Sequence, residues 1–286
     1  MRILKQDTKQ VHLEFSNLSQ LADLDSRMRP EQEAFDSSKD GNNSFAGCSF
    51  DEAVAYANYG WHEGRDQLLN LTETGIQQLD RDVLPIERRD VAGFRPDVPA
   101  YCAGDPANMI QRDDEVKPAV LRLLVDRSLH CKVNAKQIMN YGGALLAWVE
   151  LVEREGIRCE IWTTNKVYGA TKTLTTRVLI KESDQPFDYG ALAFALGHPA
   201  FLRRLQFRAW EQFAEIWRGQ GTTKSGFNDG YGTPATGLPY EFEGTYFLVP
   251  NINDNYDECD SLSGALKVFE DQIVSVLQSY NMFEKH

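Results

Sequence analysis

The sequence is poor in the residues from which most recognisable chemistry is built. Its five cysteines, Cys48, Cys102, Cys131, Cys159 and Cys259, are odd in number, far apart and never arranged as C-x-x-C. That excludes a disulfide framework and a zinc knuckle, and leaves buried free thiols. A glycine-rich dinucleotide loop, a P-loop, G-x-S-x-G and H-E-x-x-H are all absent, and none of His12, His62, His130, His198 and His286 stands in a pattern that names a base or a ligand. The expectation is therefore a protein that is not an enzyme and carries no cofactor. No window approaches the ~18 apolar residues of a membrane span, and the first residues contain no signal-peptide core, so a cytoplasmic location away from membranes is expected. Cations are scarce as well: 30 Lys and Arg stand against 42 Asp and Glu, a net charge of -12. Such a balance excludes wholesale coating of nucleic acid but leaves room for a local basic face.

What is present begins with length: 286 residues of which 42% are hydrophobic can bury a real core. Residues 119–164 spell a complete supersecondary unit. An apolar, β-branched run at 119–125 has strand length; 134–155 carries helical spacing, with Ile138, Leu145, Trp148, Val149 and Val152 on one broad stripe. Gly156 sits where a left-handed cap is wanted, and 159–162 is a second strand. Strand, helix and strand with short connectors make a βαβ unit with parallel strands and a right-handed crossover. The fold class expected is α/β: a central mixed sheet containing this unit, flanked by helices.

The N-terminal part, residues 1–115, reads as a helical hairpin and an extended segment packed on a core of residues 116–286, the two forming one compact unit. An edge strand is expected at 11–15, a short helix at 17–25 and a polar, turn-rich loop at 36–44. Ser49 with Glu52 fits a capping box, 53–57 supplies helix formers, Gly60 ends that helix, and a second helix follows over 63–80. Trp61 in the turn packs between the two helices in one reading, and in the other forms a binding surface with Arg65. The proline-punctuated segment 90–101 reads as extended, and 104–109 as a turn leading to a short helix.

Cations do gather in two places. Lys166, Tyr168, Lys172, Arg177 and Lys181 lie on a predicted β-hairpin over 163–181, either a nucleic-acid surface or a solvated edge in which lysines block unwanted pairing. Residues 190–217 read as helix broken near Pro199, with Phe201, Phe207, Trp210, Phe213 and Trp217 in the core and Arg203, Arg204, Arg208 and Arg218 facing solvent. The loop 219–237 adds Lys224, Phe227 and Tyr231, and is long enough to be functional. A strand at 245–249, an acidic loop at 251–260 and an amphipathic helix at 261–280 close the chain. Asp254, Asp257, Glu258 and Asp260 lack the register of an EF-hand and read as a solvated turn.

Two resemblances add to this reading. Asp126-Arg-Ser128, directly after a strand and before a long helix and another strand, resembles the D-x-S-x-S loop of von Willebrand factor A domains, whose side chains hold Mg²⁺. His130 stands where the third Ser belongs, so a degenerate core without metal is expected, with Asp126 and Ser128 capping the connection. The alternative is a Mg²⁺-dependent interaction module that uses Asp126 and Ser128 and partners an ATPase. More widely, Phe45-Ala-Gly-Cys-Ser-Phe-Asp-Glu-Ala53, Gly60-Trp61 with Gly64, Asp97-Val-Pro-Ala-Tyr101 with Gly104-Asp-Pro106, and Gly142-Gly-Ala-Leu145 resemble the single-stranded DNA-binding RNA polymerase cofactors of podoviruses that carry a giant virion RNA polymerase. That resemblance, over about residues 45–165, implies a phage protein of the host-cell cytoplasm that binds unpaired DNA and recruits the phage RNA polymerase as a transcription cofactor. Binding of single strands needs cations along the backbone path and aromatic faces for bases. The residues that offer both are Lys166, Tyr168, Lys172, Arg177, Lys181, Arg203, Arg204, Arg208, Lys224, Phe227 and Tyr231. A homo-oligomer is compatible with the sequence, and a virion structural protein is a third reading.

Overall fold

The computed structural model describes residues 2–6, 10–24, 37–40, 42–79, 89–92, 95–110, 120–154, 156–168, 173–211 and 246–270. The strands are β1 (Arg2–Gln6), β2 (Gln10–Phe15), β3 (Arg89–Asp90), β4 (Arg95–Pro96), β5 (Met109–Ile110), β6 (Val120–Asp126), β7 (Arg158–Tyr168), β8 (Thr173–Lys181) and β9 (Phe247–Leu248). The helices are α1 (Leu18–Ala22), α2 (Ser37–Asp40), α3 (Asn43–Ala46), α4 (Phe50–Tyr59), α5 (His62–Leu79), α6 (Val98–Cys102), α7 (Ala135–Arg154), α8 (Tyr189–Leu192) and α9 (Phe207–Glu211). Two π-helical stretches, π1 (Ala193–Gly197) and π2 (Phe201–Gln206), lie between α8 and α9. The fold is mixed α/β, as the sequence predicts.

Its centre is a six-stranded sheet in the order β1-β2-β8-β7-β6-β9. Strands β6 and β7 are parallel, from Val120 beside Arg158 to Asp126 beside Thr164, and α7 makes the crossover between them. Strand β8 returns antiparallel to β7, while β9 pairs parallel to β6 on its other side. Strand β2 lies parallel to β8, with β1 outside it. The N-terminal residues are thus woven into the same sheet as the rest, and 11–15 is an interior strand rather than the edge expected.

Helix α7 organises the core. Every residue from Gln137 to Val149 is buried, which is the signature of a helix enclosed on all sides rather than one with a single apolar stripe. Its two glycines allow that enclosure: a Cβ on Gly142 would lie 3.1 Å from the Leu196 carbonyl oxygen of π1, and one on Gly143 would lie 2.6 Å from Leu71 Cβ of α5. The same crossing needs Gly75 of α5, whose Cβ would come within 2.8 Å of Ala147 Cβ.

The hairpin of α4 and α5 forms from the predicted signals. Ser49 and Glu52 close a capping box, Gly60 takes φ 80° and ends α4. Trp61 packs inward, 4.4 Å from the His198 ring and 6.1 Å from Tyr56 of α4, whereas Arg65 is exposed and paired with Asp66 at 3.0 Å. The segment after this hairpin departs from expectation: Arg89 to Ile110 builds a small three-stranded sheet, β3-β5-β4, with α6 capped by Asp97. The turn expected at 104–109 forms, with Gly104 at φ 74°, but it runs into β5 rather than into a short helix.

Replacing a mid-helix glycine with alanine ordinarily gains about 1 kcal/mol. At Gly143 we expect the opposite sign, a net loss of about 1 to 2 kcal/mol in Gly143→Ala, because the added methyl meets an atom fixed to the α5 backbone. The midpoint of urea denaturation reads this directly, and an unchanged or raised midpoint would show that the α5–α7 crossing has slack.

Candidate functional site

The loops at the carboxyl end of the parallel strands β6, β7 and β9 are tied together residue by residue. Asp126 ends β6, and its two carboxylate oxygens accept from the Ser128 backbone N–H at 2.8 Å and from Asn251 Nδ2 at 3.0 Å. Ser128 Oγ accepts from the Lys166 N–H of β7 at 3.1 Å. Asn253 Oδ1 accepts from the His130 N–H at 2.7 Å, while Asn253 Nδ2 donates to the Ser128 carbonyl. Helix α7 holds the same loop from beneath: Tyr141 donates to the Pro250 carbonyl at 2.6 Å, Gln137 Nε2 to the Tyr256 carbonyl at 2.9 Å, and Asn140 Nδ2 to the Cys259 carbonyl at 2.9 Å. Burial pushes the Asp126 carboxyl above its ordinary range, opposed by the Ser128 hydrogen bonds and by Arg127 and Lys166.

These residues do not fit a Mg²⁺ ion, which wants a near-octahedral shell of oxygens. Asp126 is the one carboxylate of the loop, both its oxygens already accept N–H groups, and Asn251 turns its NH₂ toward it. Among the described residues no group of three or more His, Cys, Asp or Glu side chains is placed to hold a metal. The acidic turn is solvated as expected, with Asp254, Asp257, Glu258 and Asp260 exposed.

The predicted nucleic-acid residues have other employment. Arg177 is buried in an ion pair with Glu14, donates to Tyr246 at 2.5 Å and lies 4.5 Å from the Trp162 ring. Lys181 is buried against Glu153 at 2.7 Å and the Cys159 carbonyl at 3.0 Å. Arg203 donates to the carbonyls of Phe45 at 2.6 Å and Val133 at 3.0 Å, and Arg204 to those of Ser38 at 2.7 Å and Cys48 at 3.0 Å. Arg208 is buried beside Glu211, at 3.6 Å. The expectation that these arginines face solvent is therefore corrected. The segment 37–48 offers few apolar groups for docking, so the long side chains of π2 reach in and satisfy its carbonyls instead. Likewise β8 is no edge, being flanked by β2 and β7. Lys166 is half-buried in β7 and Tyr168 is the last residue of that strand; Lys172, Lys224, Phe227 and Tyr231 lie outside the described residues, as do Phe213, Trp217 and Arg218. Exposed cations on the rim of the Asp126 turn that the sequence reading missed include Lys132, in the loop before α7, and Lys136, in its first turn. Lys132 precedes the helix, so no helical spacing links the pair in the sequence.

A second polar group lies beneath this rim. Arg127 is fully buried, and its backbone N–H donates to the Thr164 carbonyl at 2.7 Å, continuing the β6–β7 ladder. In β7 the next residue is Asn165, fully buried and paired in register with Thr176 of β8, whose hydroxyl donates to Gln206 Oε1 of π2. Above the row sits His198, between π1 and π2, its Nδ1 accepting from the Ala200 N–H at 3.0 Å. Rings of Trp61, Tyr56 and Phe194 surround it at 4.4, 5.7 and 5.9 Å. Burial brings the His198 pKa down to about 4, with Arg127 adding to the effect and Glu52 opposing it.

Between pH 6.5 and about 4 the unfolded chain therefore holds a proton that the folded chain refuses. Stability from this residue is complete above pH 6.5 and is lost as pH falls toward 4, by up to about 1.4 kcal/mol per pH unit. We expect His198→Asn, which keeps an acceptor but cannot titrate, to flatten the pH dependence of urea stability in that window; identical slopes in both proteins would place the proton uptake elsewhere.

Neither the curated proteins nor the solved structures contain a match to this chain. A family model does match, over residues 5–275, which takes in the six-stranded sheet from the end of β1 onward, the rim and the buried row. The chain belongs to the family described as a domain of unknown function, DUF7192.

Proposed function

We propose that the chain is a von Willebrand factor A-like interaction module that docks a protein partner, an ATPase by the analogy that suggested it, on the loops at the carboxyl end of its sheet. The observation that carries this reading is the interlock of the Asp126–Ser128 turn with Asn251 and Asn253. Loops at this end of parallel strands are where such folds place their ligands. Here hydrogen bonds fix the loop conformation that a cation fixes in the domains it resembles, so the module works without Mg²⁺. The rim it offers is polar, with His130, Lys132, Asn253 and Asp254 outward or half-exposed.

In cells producing the chain, amine-reactive cross-linking should join Lys132 or Lys136 to an ATPase subunit, and Asn253→Ala, which unties the loop, should reduce those links at least several-fold. Links confined to other lysines, or indifferent to that substitution, would remove the rim from the reading. Calorimetric titration with Mg²⁺ should give no saturable heat; a 1:1 heat abolished by Asp126→Asn would restore the metal-dependent form.

A second reading, the single-stranded DNA cofactor that recruits a phage RNA polymerase, is favoured by one observation: Lys132, Lys136 and half-buried Lys166 share this rim. On that reading charge reversal at Lys132 and Lys136 weakens binding of a labelled single-stranded oligonucleotide. It also lowers the slope of log affinity against log salt by about 1.4, at ~0.7 per phosphate contact. Fluorescence anisotropy at several salt concentrations measures both, and no binding at low salt would end this reading.

A further inference from the structure

Arg127 is the most unusual side chain in the molecule. It is fully buried, yet among the described residues no acceptor meets its Nε, Nη1 or Nη2. Leaving a guanidinium out of water with neither counter-ion nor hydrogen bonds costs several kcal/mol, which a fold does not spend on packing alone. The cost is not shared locally. Arg203 lies close enough to repel it, and Arg203 donates only to neutral carbonyls, so among the described residues neither cation has a carboxylate at ion-pair distance. Asp126 attracts Arg127 from the next position in the strand, but its carboxylate already accepts from Ser128 and Asn251.

The groups around Arg127 repeat the pattern. Asn165 Nδ2 and Gln206 Nε2 are buried donors without acceptors among the described residues. With the three guanidinium nitrogens they make five unpartnered donors, against one unpartnered acceptor in the row, Asn165 Oδ1. Such a surplus of donors around uncompensated positive charge selects an anion with several acceptor oxygens; water, which donates as often as it accepts, leaves the charge unanswered. The position agrees with the chemistry, since the row lies at the carboxyl end of β6 and β7, where open sheets bind ligands. Its cover also agrees. Gln206 and Arg203 belong to π2, and His198 joins π1 to π2; wide π turns recur at functional sites.

We propose that Arg127, with Asn165 and Gln206, forms a buried site for a phosphate-like oxyanion under the π1–π2 segment. The site lies beneath the rim and stands independently of the reading of that rim as a docking surface.

The test is calorimetric titration of the full chain with inorganic phosphate, chloride holding the ionic strength constant. Wild-type protein is expected to bind one phosphate saturably, and Arg127→Met to weaken it at least tenfold. Gln206→Leu, which leaves the cation in place, should weaken it several-fold, and keeps the test decisive if Arg127→Met does not fold. Phosphate should also raise the thermal midpoint of wild type and not that of Arg127→Met. Competition with ADP separates the sources: displacement of phosphate by ADP assigns the site to the phosphate of a nucleotide, and its failure assigns a free oxyanion. Absence of saturable binding by wild type would overturn the proposal. So would equal binding by Arg127→Met, which would move the ion to the exposed lysines of the rim.

Discussion

Everything in this fold depends on hiding a helix from water on all sides. Helix α7 is pressed between the sheet, α5 and π1, and the approach is close enough that Gly142, Gly143 and Gly75 leave no room for side chains. An amphipathic helix lying on a sheet would have kept one polar face for solvent. A helix enclosed all round must satisfy its polar residues internally, and Gln137, Asn140 and Tyr141 do so by donating to carbonyls of the 250–260 loop. The same enclosure that builds the core therefore fixes the shape of the rim. Structure and site are coupled through three hydrogen bonds rather than through a rigid scaffold with loops added to it.

Internal cations are the second theme. Among the described residues six Lys and Arg side chains, Arg127, Arg177, Lys181, Arg203, Arg204 and Arg208, are buried. Three of them are paired to carboxylates, Glu14, Glu153 and Glu211. Arg203 and Arg204 donate to backbone carbonyls, Arg204 also to Asn43 Oδ1, and Arg127 meets no acceptor among the described residues. The consequence reaches the surface. Because Arg127 and Arg203 lie inside with no carboxylate at ion-pair distance among the described residues, the solvent-facing shell carries more negative charge than the net charge of -12 counts. Nucleic acid is repelled over most of such a shell, and a partner that approaches the Lys132–Lys136 rim meets an isolated positive area in an acidic field.

Local chemistry was legible in the sequence; long-range satisfaction was not. The capping box of Ser49 and Glu52, the positive-φ glycines Gly60 and Gly156, and the βαβ unit depend on neighbours a few residues apart, so pattern and propensity were enough. Arginines 203, 204 and 208 failed because an arginine that serves a distant carbonyl has the same letter as one in water. Only the chain's need to dock 37–48 decides between them, and that need is non-local. Strand 11–15 was misplaced for a related reason: its partner β8 lies more than 150 residues away, and nothing local distinguishes an interior strand from an edge. Arg127, by contrast, was readable. Leu121, Leu123 and Val125 are buried on alternate positions of β6, and the same parity carries Arg127 to the covered side.

That parity also explains why one short turn can serve two purposes. Successive residues of a strand point to opposite faces, so Asp126 and Arg127 part company at the end of β6. Asp126 turns toward the rim and is consumed in tying Ser128 to Asn251; Arg127 is carried beneath, to the side where Asn165 and Gln206 also leave buried donors without a partner among the described residues. In a metal-bearing loop the carboxylate would be held by a cation, and a guanidinium one residue away would oppose that cation. Here Asn251 donates an amide N–H to that carboxylate, and Arg127 lies on the covered side. The tied carboxylate of the rim and the buried guanidinium below it are two consequences of side-chain alternation at the end of one strand.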